Sequence, residues 1–205
     1  MTVHNQYYMF RMLDHVIPTS LRSDTVQLQA ARHLSILAAV TALSVPLLTL
    51  MYHLLGYDAV GMVVLTAGIV MMITPFMLGG LGLAVARDVF ISALFLLKIW
   101  MAVYLGGVSA PTTSWFVLCP AVALLIGGLR PGLVWAALVL AAVVVMFALG
   151  YSGVLPPAPA GSGMTILSFA SVVGLLALIV LIMALAIGAG GTDRRSLKSE
   201  FGRKS

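Results

Sequence analysis

Apolar residues dominate this chain in long runs, and short polar or glycine-rich stretches separate the runs. Most of them approach the ~20 residues that a helix needs to cross a hydrocarbon core of ~30 Å. Six segments can be distinguished, at residues 34–56, 58–80, 88–106, 114–128, 131–152 and 164–190. The pattern therefore predicts an all-α integral membrane protein, built as a bundle of six transmembrane helices.

The fourth apolar segment is shorter than the others. Its ~15 residues would rise only about 22 Å as an α-helix, and they include Pro120. We expect either a short helix that the preceding loop extends, or one half of a broken hairpin formed with the fifth segment.

The composition supports a membrane environment. Hydrophobic residues make up 61% of the chain and charged residues only 8%, whereas a soluble domain carries roughly 25% charged residues. The net charge of +5 comes from basic residues at the chain ends and in short turns, which is not the pattern of a nucleic-acid groove, so we expect no nucleic-acid partner. Cys119 is the single cysteine, which excludes an intrachain disulfide.

The distribution of basic residues predicts the orientation in the membrane. Basic residues precede the first segment, occupy the second-to-third and fourth-to-fifth turns, and follow the sixth segment, whereas the other three connections have none. The positive-inside rule then places both termini in the cytoplasm. We predict a cytoplasmic amphipathic or interfacial segment at residues 1–33, a transmembrane domain at 34–190 and a basic cytoplasmic tail at 191–205.

The amino-terminal segment shows a helical pattern of its own. Apolar residues recur at helical spacing at Tyr7, Phe10, Leu13 and Ile17. This predicts an amphipathic helix on the inner membrane surface, which Pro18 would end; the alternative is a partly ordered tail. Ser23 or Asp24 can then cap a helix that continues through Arg32 into the first span.

The chain offers little material for catalysis or metal binding. None of the six acidic residues lies in the middle of a predicted span, and no two of the four histidines are four residues apart. A proton-transfer pair at membrane depth and a helical metal-ligand pair are both missing from this inventory. We therefore predict a protein that is not an enzyme, with no catalytic residues, no metal and no cofactor.

Lys98 is the most informative polar residue. It lies ten residues after Asp88, and thus about 15 Å along the third helix, near the membrane centre. A charge at that depth costs at least ~2.5 kcal/mol, and no acidic residue is predicted at its level. The functional interpretation is a binding site for an anionic ligand, such as a fatty acid or a lipid headgroup. The alternatives are an amine that snorkels outward or one that bonds to backbone carbonyls.

The connection before the fourth segment, residues 106–115, is polar but uncharged. A short span would let this loop sink into the bilayer, where its backbone must line a cavity or be covered by protein. The candidate ligand-binding residues are Lys98, the hydroxyls of the loop, an aromatic wall and a histidine at the first outer turn: Ser109, Thr112, Thr113, Ser114, Trp100, Tyr104, Trp115 and His53. The alternative is an interfacial belt, where Trp and Tyr occur anyway.

The sequence of residues 106–157 resembles a known family. It runs Gly-Gly-Val-Ser-Ala-Pro, Ser-Trp, Pro-Ala-Val-Ala and then Gly-Gly-Leu-Arg-Pro-Gly-Leu-Val-Trp. This is similar to the six-helix membrane input domain of bacterial sensor histidine kinases, and residues 16–24, Val-Ile-Pro-Thr-Ser-Leu-Arg-Ser-Asp, resemble the segment before the first helix of that domain. The resemblance covers about residues 13–190, and residues 197–201, Leu-Lys-Ser-Glu-Phe, resemble the stretch before the phospho-accepting histidine.

The resemblance implies a sensor module without its kinase transmitter, because no histidine follows His53. Such a module would be a truncated kinase, a stand-alone relative or a membrane subunit used in another complex. We expect a non-enzymatic receptor for a small lipophilic or anionic ligand. Its partners would be membrane lipids and either a second copy of the chain or a signalling protein. The rival hypothesis is an accessory or structural subunit of a larger membrane complex, and a small transporter is disfavoured by the shortage of polar residues at the midplane.

Overall fold

Helix α1 begins at the cap that the sequence predicted. The computed structural model describes residues 24–156 and 162–201, and the predicted amphipathic helix at 5–17 lies outside these ranges. The Asp24 carboxylate accepts hydrogen bonds from the backbone N–H groups of Val26, at 2.9 Å, and Gln27, at 3.5 Å. This cap satisfies two of the donors that a helix start leaves unpaired, so α1 begins at Thr25.

Helices make up 88% of the structure, and no strand occurs among the described residues. Two short 3-10 helices, Gly107–Ser109 and Thr113–Val117, lie between the third and fourth α-helices. The α-helices are α1 Thr25–Leu54, α2 Asp58–Met77, α3 Gly82–Tyr104, α4 Leu118–Gly127, α5 Leu129–Tyr151 and α6 Ser162–Phe201.

Three helix boundaries differ by six or more residues from those predicted by apolar runs. Helix α1 starts nine residues earlier than residue 34, α3 starts six residues before Asp88, and α6 continues past residue 190 to Phe201. A helix can extend through polar sequence because its backbone hydrogen bonds are internal, so the apolar pattern marks burial in lipid and not the helix ends. The fourth segment is a short helix extended by the loop before it, as one of the two alternatives predicted.

The helices alternate in direction, so their connections collect at two ends of the bundle. At one end, which we call the loop end, Gly163 of α6 approaches Leu55 and Tyr57 of the α1–α2 turn, at 3.7 and 3.9 Å from an ideal Cβ position. At the other end, the basic end, the Arg87 guanidinium lies against Gly127 at the end of α4. The uncharged connections thus lie at the opposite end of the bundle from Arg87 and Arg130.

Helix α3 forms the centre of the bundle, and α5 and α6 lie at its surface. The side of α3 that faces the interior is fully buried at Ala86, Ile91 and Ala102. In contrast, only 17% of the apolar window of α5 and 6% of that of α6 is buried. So much exposed apolar surface is characteristic of a protein that is solvated by lipid.

Four helices are long and apolar enough to cross a membrane: Thr25–Leu54, Asp58–Met77, Leu129–Tyr151 and Gly163–Ile187. Helix α3 has 23 residues but carries Arg87, Asp88 and Lys98. Helix α4 has only 10 residues and reaches 15 with the adjoining 3-10 helix. The described chain is therefore a helical bundle with four clear candidate spans and two atypical helices between them.

Candidate functional site

Lys98 is buried in the half of the bundle nearer the loop end. It lies six residues before the last residue of α3, about 9 Å from that helix end, and its side chain is 7% exposed. The sequence placed it near the membrane centre because the predicted third helix began at Asp88. Since α3 begins at Gly82 instead, Lys98 lies closer to the loop end than to the basic end.

A cavity of about 140 Å³ lies beside Lys98. Helices α1, α3 and α6 form its long walls, and α4 together with Thr112 and Trp115 closes one side. Its lining is almost entirely apolar away from Lys98. The polar side chains of the lining come from α1, α3, α6 and the 3-10 region: Thr41, Ser44, Tyr52, Lys98, Thr112, Trp115 and Ser171.

The ring face of Trp115 is the partner of the Lys98 ammonium. Nζ lies 4.4 Å from the ring centroid, which is within the range of a cation–π interaction. Such a contact contributes about 2 kcal/mol or more where water is excluded, close to the ~2.5 kcal/mol that a buried charge costs on insertion scales. The aromatic ring therefore offsets much of the cost of placing this charge in the bundle, and no carboxylate is needed.

Two hydrogen bonds fix the position of the Trp115 ring. The indole Nε1–H donates to Ser171 Oγ on α6 at 2.6 Å, and the Ser171 hydroxyl donates to the Pro111 carbonyl at 2.8 Å. The ring also lies against Gly174, where an ideal Cβ would come within 3.0 Å of Trp115 Cζ2. Through this contact the 3-10 region and Lys98 are joined directly to α6.

Three polar groups of the cavity make no hydrogen bond to any described residue. Thr112 is 2% exposed, and its Oγ1 makes no hydrogen bond. Tyr52 is 3% exposed, and neither its hydroxyl nor the Lys98 ammonium takes part in a hydrogen bond or ion pair with any described residue. Buried donors without partners are costly, so these three groups are available for an acceptor inside the cavity.

Three of the nine predicted ligand-binding residues meet at this cavity, namely Lys98, Thr112 and Trp115. Trp100 lies about 200° from Lys98 around α3, and it stacks on Tyr104 with ring centroids 5.1 Å apart. Both aromatic side chains therefore face away from the cavity. The aromatic wall that the sequence predicted consists of Trp115 alone.

The other predicted residues serve local structure. Thr113 donates to the Gly107 carbonyl at 3.0 Å, Ser114 donates to the Pro111 carbonyl at 3.2 Å, and the exposed Ser109 ends the first 3-10 helix. The hydroxyls of Thr113 and Ser114 therefore close turns of the loop. His53 pairs with Asp58 across the α1–α2 turn, with both side chains exposed. None of the four lines the cavity.

Sequence reasoning missed the residues that α1 and α6 contribute. Ser171 and Gly174 lie three residues apart in the sixth apolar run, and a small polar residue inside such a run is the signal that could have identified this face. Thr41 and Ser44 reach the cavity from α1, but their hydroxyls also donate to carbonyls of their own helix at 2.8 Å.

The arrangement is suited to binding. Within the ranges that the structure describes, no three His, Cys, Asp or Glu side chains come together as metal ligands would. The cavity holds one cation, two unpaired hydroxyls and an apolar slot. These groups can hold an acceptor and an attached apolar chain. Comparison of the chain with protein-family models, curated proteins and solved structures finds no match.

Proposed function

We propose that this chain is a non-enzymatic sensor module of the bacterial inner membrane, with six spans and both termini in the cytoplasm. It binds a small lipophilic or anionic ligand in the Lys98 cavity and passes the resulting change to a cytoplasmic transmitter. The observation that carries the proposal is a buried ammonium with no carboxylate partner among the described residues, beside a cavity in which the Thr112 and Tyr52 hydroxyls lack hydrogen-bond partners.

The six-span arrangement is supported by where the charges of α3 lie. Arg87 and Asp88 fall in the first two turns of α3 at the basic end and bond to each other, and Lys98 is shielded by protein. Charges at a span end or inside the bundle are compatible with a membrane helix. Helix α4 is long enough to cross the membrane only together with the 3-10 region before it. In the proposed arrangement this polar loop therefore lies within the bilayer, next to the cavity.

Helix α6 supplies a route from the cavity to the cytoplasm. It contacts Trp115 through Ser171 and Gly174, and its backbone continues without a break for 40 residues, about 60 Å. Its candidate span ends at Ile187, so the helix extends about 21 Å further to Phe201. A shift of Trp115 would therefore move one rigid element that reaches beyond the membrane.

The resemblance to the membrane input domain of sensor histidine kinases supports the same proposal. In this proposal the transmitter is a cytoplasmic signalling protein or domain, and two copies of the chain pair through their membrane helices. The exposed apolar faces of α5 and α6 supply surface for such pairing.

The alternative function is that of an accessory subunit in a larger membrane complex. The observation that favours it is the extent of exposed apolar side chains on α6, among them Phe169, Val180 and Ile187. A structural subunit would bury this face against a partner and would not need the cavity.

One experiment separates the two functions. A bulky side chain introduced on α1 fills the cavity, and the position of the cytoplasmic end of α6 is then measured. Spin labels at Gln27→Cys and Ser196→Cys report the distance between the cytoplasmic ends of α1 and α6 by double electron–electron resonance in nanodiscs. Ser44→Phe places a ring in the cavity, as a bound ligand would. The matched control is Leu43→Phe, because the neighbouring Leu43 is 74% exposed and lies outside the cavity lining.

For a sensor, Ser44→Phe shifts the measured distance distribution and Leu43→Phe leaves it unchanged. For an accessory subunit, both variants give the distribution of the unsubstituted protein. That second result would refute signalling through α6.

A further inference from the structure

We infer that the Lys98 cavity binds a single-chain amphiphile with a carboxylate head, of the long-chain fatty acid class, which reaches it from the bilayer between α1 and α6. This inference rests on the proposed function and specifies its ligand. It follows from the polarity of the cavity along its length, from the charge count at its polar end and from the exposure of the two helices that flank it.

The polar groups of the cavity that lack a hydrogen-bond partner lie toward one end. Lys98, Thr112 and Tyr52 lie toward the loop end, together with Ser171, which is already bonded to Trp115 and Pro111. The first three groups supply donors that make no hydrogen bond to any described residue. A carboxylate has two oxygens that accept about four hydrogen bonds, so it can satisfy all three groups together.

The charge at this end matches a monoanion. Among the residues that the structure describes, Lys98 is the only cationic side chain lining the cavity. A phosphate monoester carries about −1.5 to −2 charges at pH 7, and the second charge would be buried without compensation, which is costly. A carboxylate carries one charge, and its pairing with Lys98 leaves no buried charge unbalanced.

Toward the basic end the cavity is lined by apolar side chains. Phe90 and Leu94 of α3, Met71 of α2 and Leu178 and Ile182 of α6 form this part. From Ser171 to Ile182 the wall formed by α6 rises about 16 Å. An alkyl chain attached to a head at Lys98 would lie along this wall and would meet no polar group that it leaves unpaired.

The volume of the cavity allows no more than one chain. The volume is about 140 Å³, similar to the roughly 150 Å³ of an engineered apolar cavity that admits a benzene molecule. A cavity of this volume holds part of one alkyl chain, whose remaining length lies in the seam between α1 and α6. The two chains of a phospholipid would require the helices to separate.

The seam between α1 and α6 is open to the surroundings. Val40, Ser44 and Leu48 on α1, and Ala170 and Gly174 on α6, line the cavity and are only half buried. The chain of a membrane-dissolved amphiphile is already in hydrocarbon, so passage through this seam does not bring it into water. Access from the bilayer therefore avoids the hydrophobic cost of crossing the interface.

The test measures binding of palmitate to the purified full chain by native mass spectrometry and by equilibrium binding in detergent. Cetyl alcohol, which has the same chain length and no charge, and hexadecyl phosphate are the comparison probes. The variants are Lys98→Met, which keeps an unbranched apolar side chain and removes the charge, and Thr112→Val. The control is Arg130→Met, the same type of change at an exposed basic residue outside the cavity.

We expect one palmitate per chain, bound at least about tenfold more tightly than either comparison probe. Lys98→Met should weaken palmitate binding by at least about tenfold and leave cetyl alcohol binding unchanged, and Thr112→Val should weaken palmitate binding to a smaller extent. Arg130→Met should bind palmitate as the unsubstituted chain does. Should Lys98→Met fail to fold, Ser44→Phe must abolish palmitate binding while Leu43→Phe retains it.

Equal binding of palmitate and cetyl alcohol, tighter binding of hexadecyl phosphate, or the same palmitate affinity in Lys98→Met would each overturn the assignment. Those results would leave the sensor proposal standing if Ser44→Phe still moves α6. If the sensor proposal is wrong but the ligand assignment is right, palmitate binds with the predicted dependence on Lys98, whereas Ser44→Phe leaves α6 in place.

Discussion

The indole ring of Trp115 lies directly against the backbone of Gly174, so that a Cβ at position 174 would come within 3.0 Å of Cζ2 and 3.1 Å of Cη2. This close approach brings the indole N–H to Ser171 and leaves the ring face to Lys98. The missing side chain at position 174 is therefore what allows one aromatic ring to join α3, the 3-10 region and α6.

Gly174→Ala should displace the Trp115 ring and destabilise the bundle. Overpacking a well-filled contact costs about 1–3 kcal/mol, which for a chain of this size lowers the thermal midpoint by several degrees. Thermal unfolding in detergent checks this. The matched control is Gly163→Ala on the same helix, where the nearest heavy atom is 3.7 Å away and the melting temperature should not fall. Equal melting of the two variants would contradict the tight contact.

The hydrogen bond from Trp115 to Ser171 should appear as a coupling energy. Ser171→Ala leaves the indole N–H without its acceptor, at a cost of about 1–3 kcal/mol, and Trp115→Phe removes the donor. Because both substitutions break the same bond, the free energy of unfolding of the double variant should fall by less than the sum of the single losses. Additive losses in this double-mutant cycle would show that the bond contributes nothing.

Helices α1 and α2 should depend on the absence of a side chain at Gly68. A Cβ there would overlap the Val45 side chain, with Cγ1 at 2.7 Å, and small residues are what permit such close helix packing in membranes. Gly68→Ala should lower the free energy of unfolding by about 1–3 kcal/mol, and Val45→Ala in the same chain should restore part of it. Gly80→Ala, which meets no heavy atom within 4 Å, is the control.

Arg87 should be more important for stability than Arg130. The Arg87 guanidinium donates to both carboxylate oxygens of Asp88, from Nε at 2.8 Å and from Nη2 at 3.0 Å, and it packs against Gly127. Lysine keeps the charge but cannot reproduce the planar fork, so Arg87→Lys should cost about 1 kcal/mol in unfolding free energy. At the exposed Arg130, the same change should cost nothing, and equal losses at both positions would refute the specific role.

The proposed orientation predicts which positions accept a membrane-impermeant thiol reagent in whole cells. In a chain whose Cys119 is replaced by alanine, Ser109→Cys should be labelled from outside, because the uncharged connections face outward. Ser196→Cys should be labelled only after the membrane is permeabilised. External labelling at position 196 would overturn the topology.

The apolar pattern by itself determined the class of the protein and the order of its helices. Runs of about 20 apolar residues can be accommodated only as helices in lipid, where every backbone polar group must be bonded internally. The cap at Asp24 and the short fourth helix were likewise predictable, because both depend on neighbouring residues in the chain. Local interactions and chain length decided these features.

The partners of Lys98 could not be predicted in the same way. The sequence showed a buried charge without an acidic neighbour, but the ring that covers it is 17 residues away in the chain and is held by Ser171, a further 56 residues on. Trp100 lies about 200° from Lys98 on any α-helix, so helix geometry alone excludes it, but nothing in the sequence indicates that Trp115 packs over Lys98. Side-chain partners between helices depend on helix rotation and depth, which the lipid-facing pattern does not fix, so the tertiary structure decided the site.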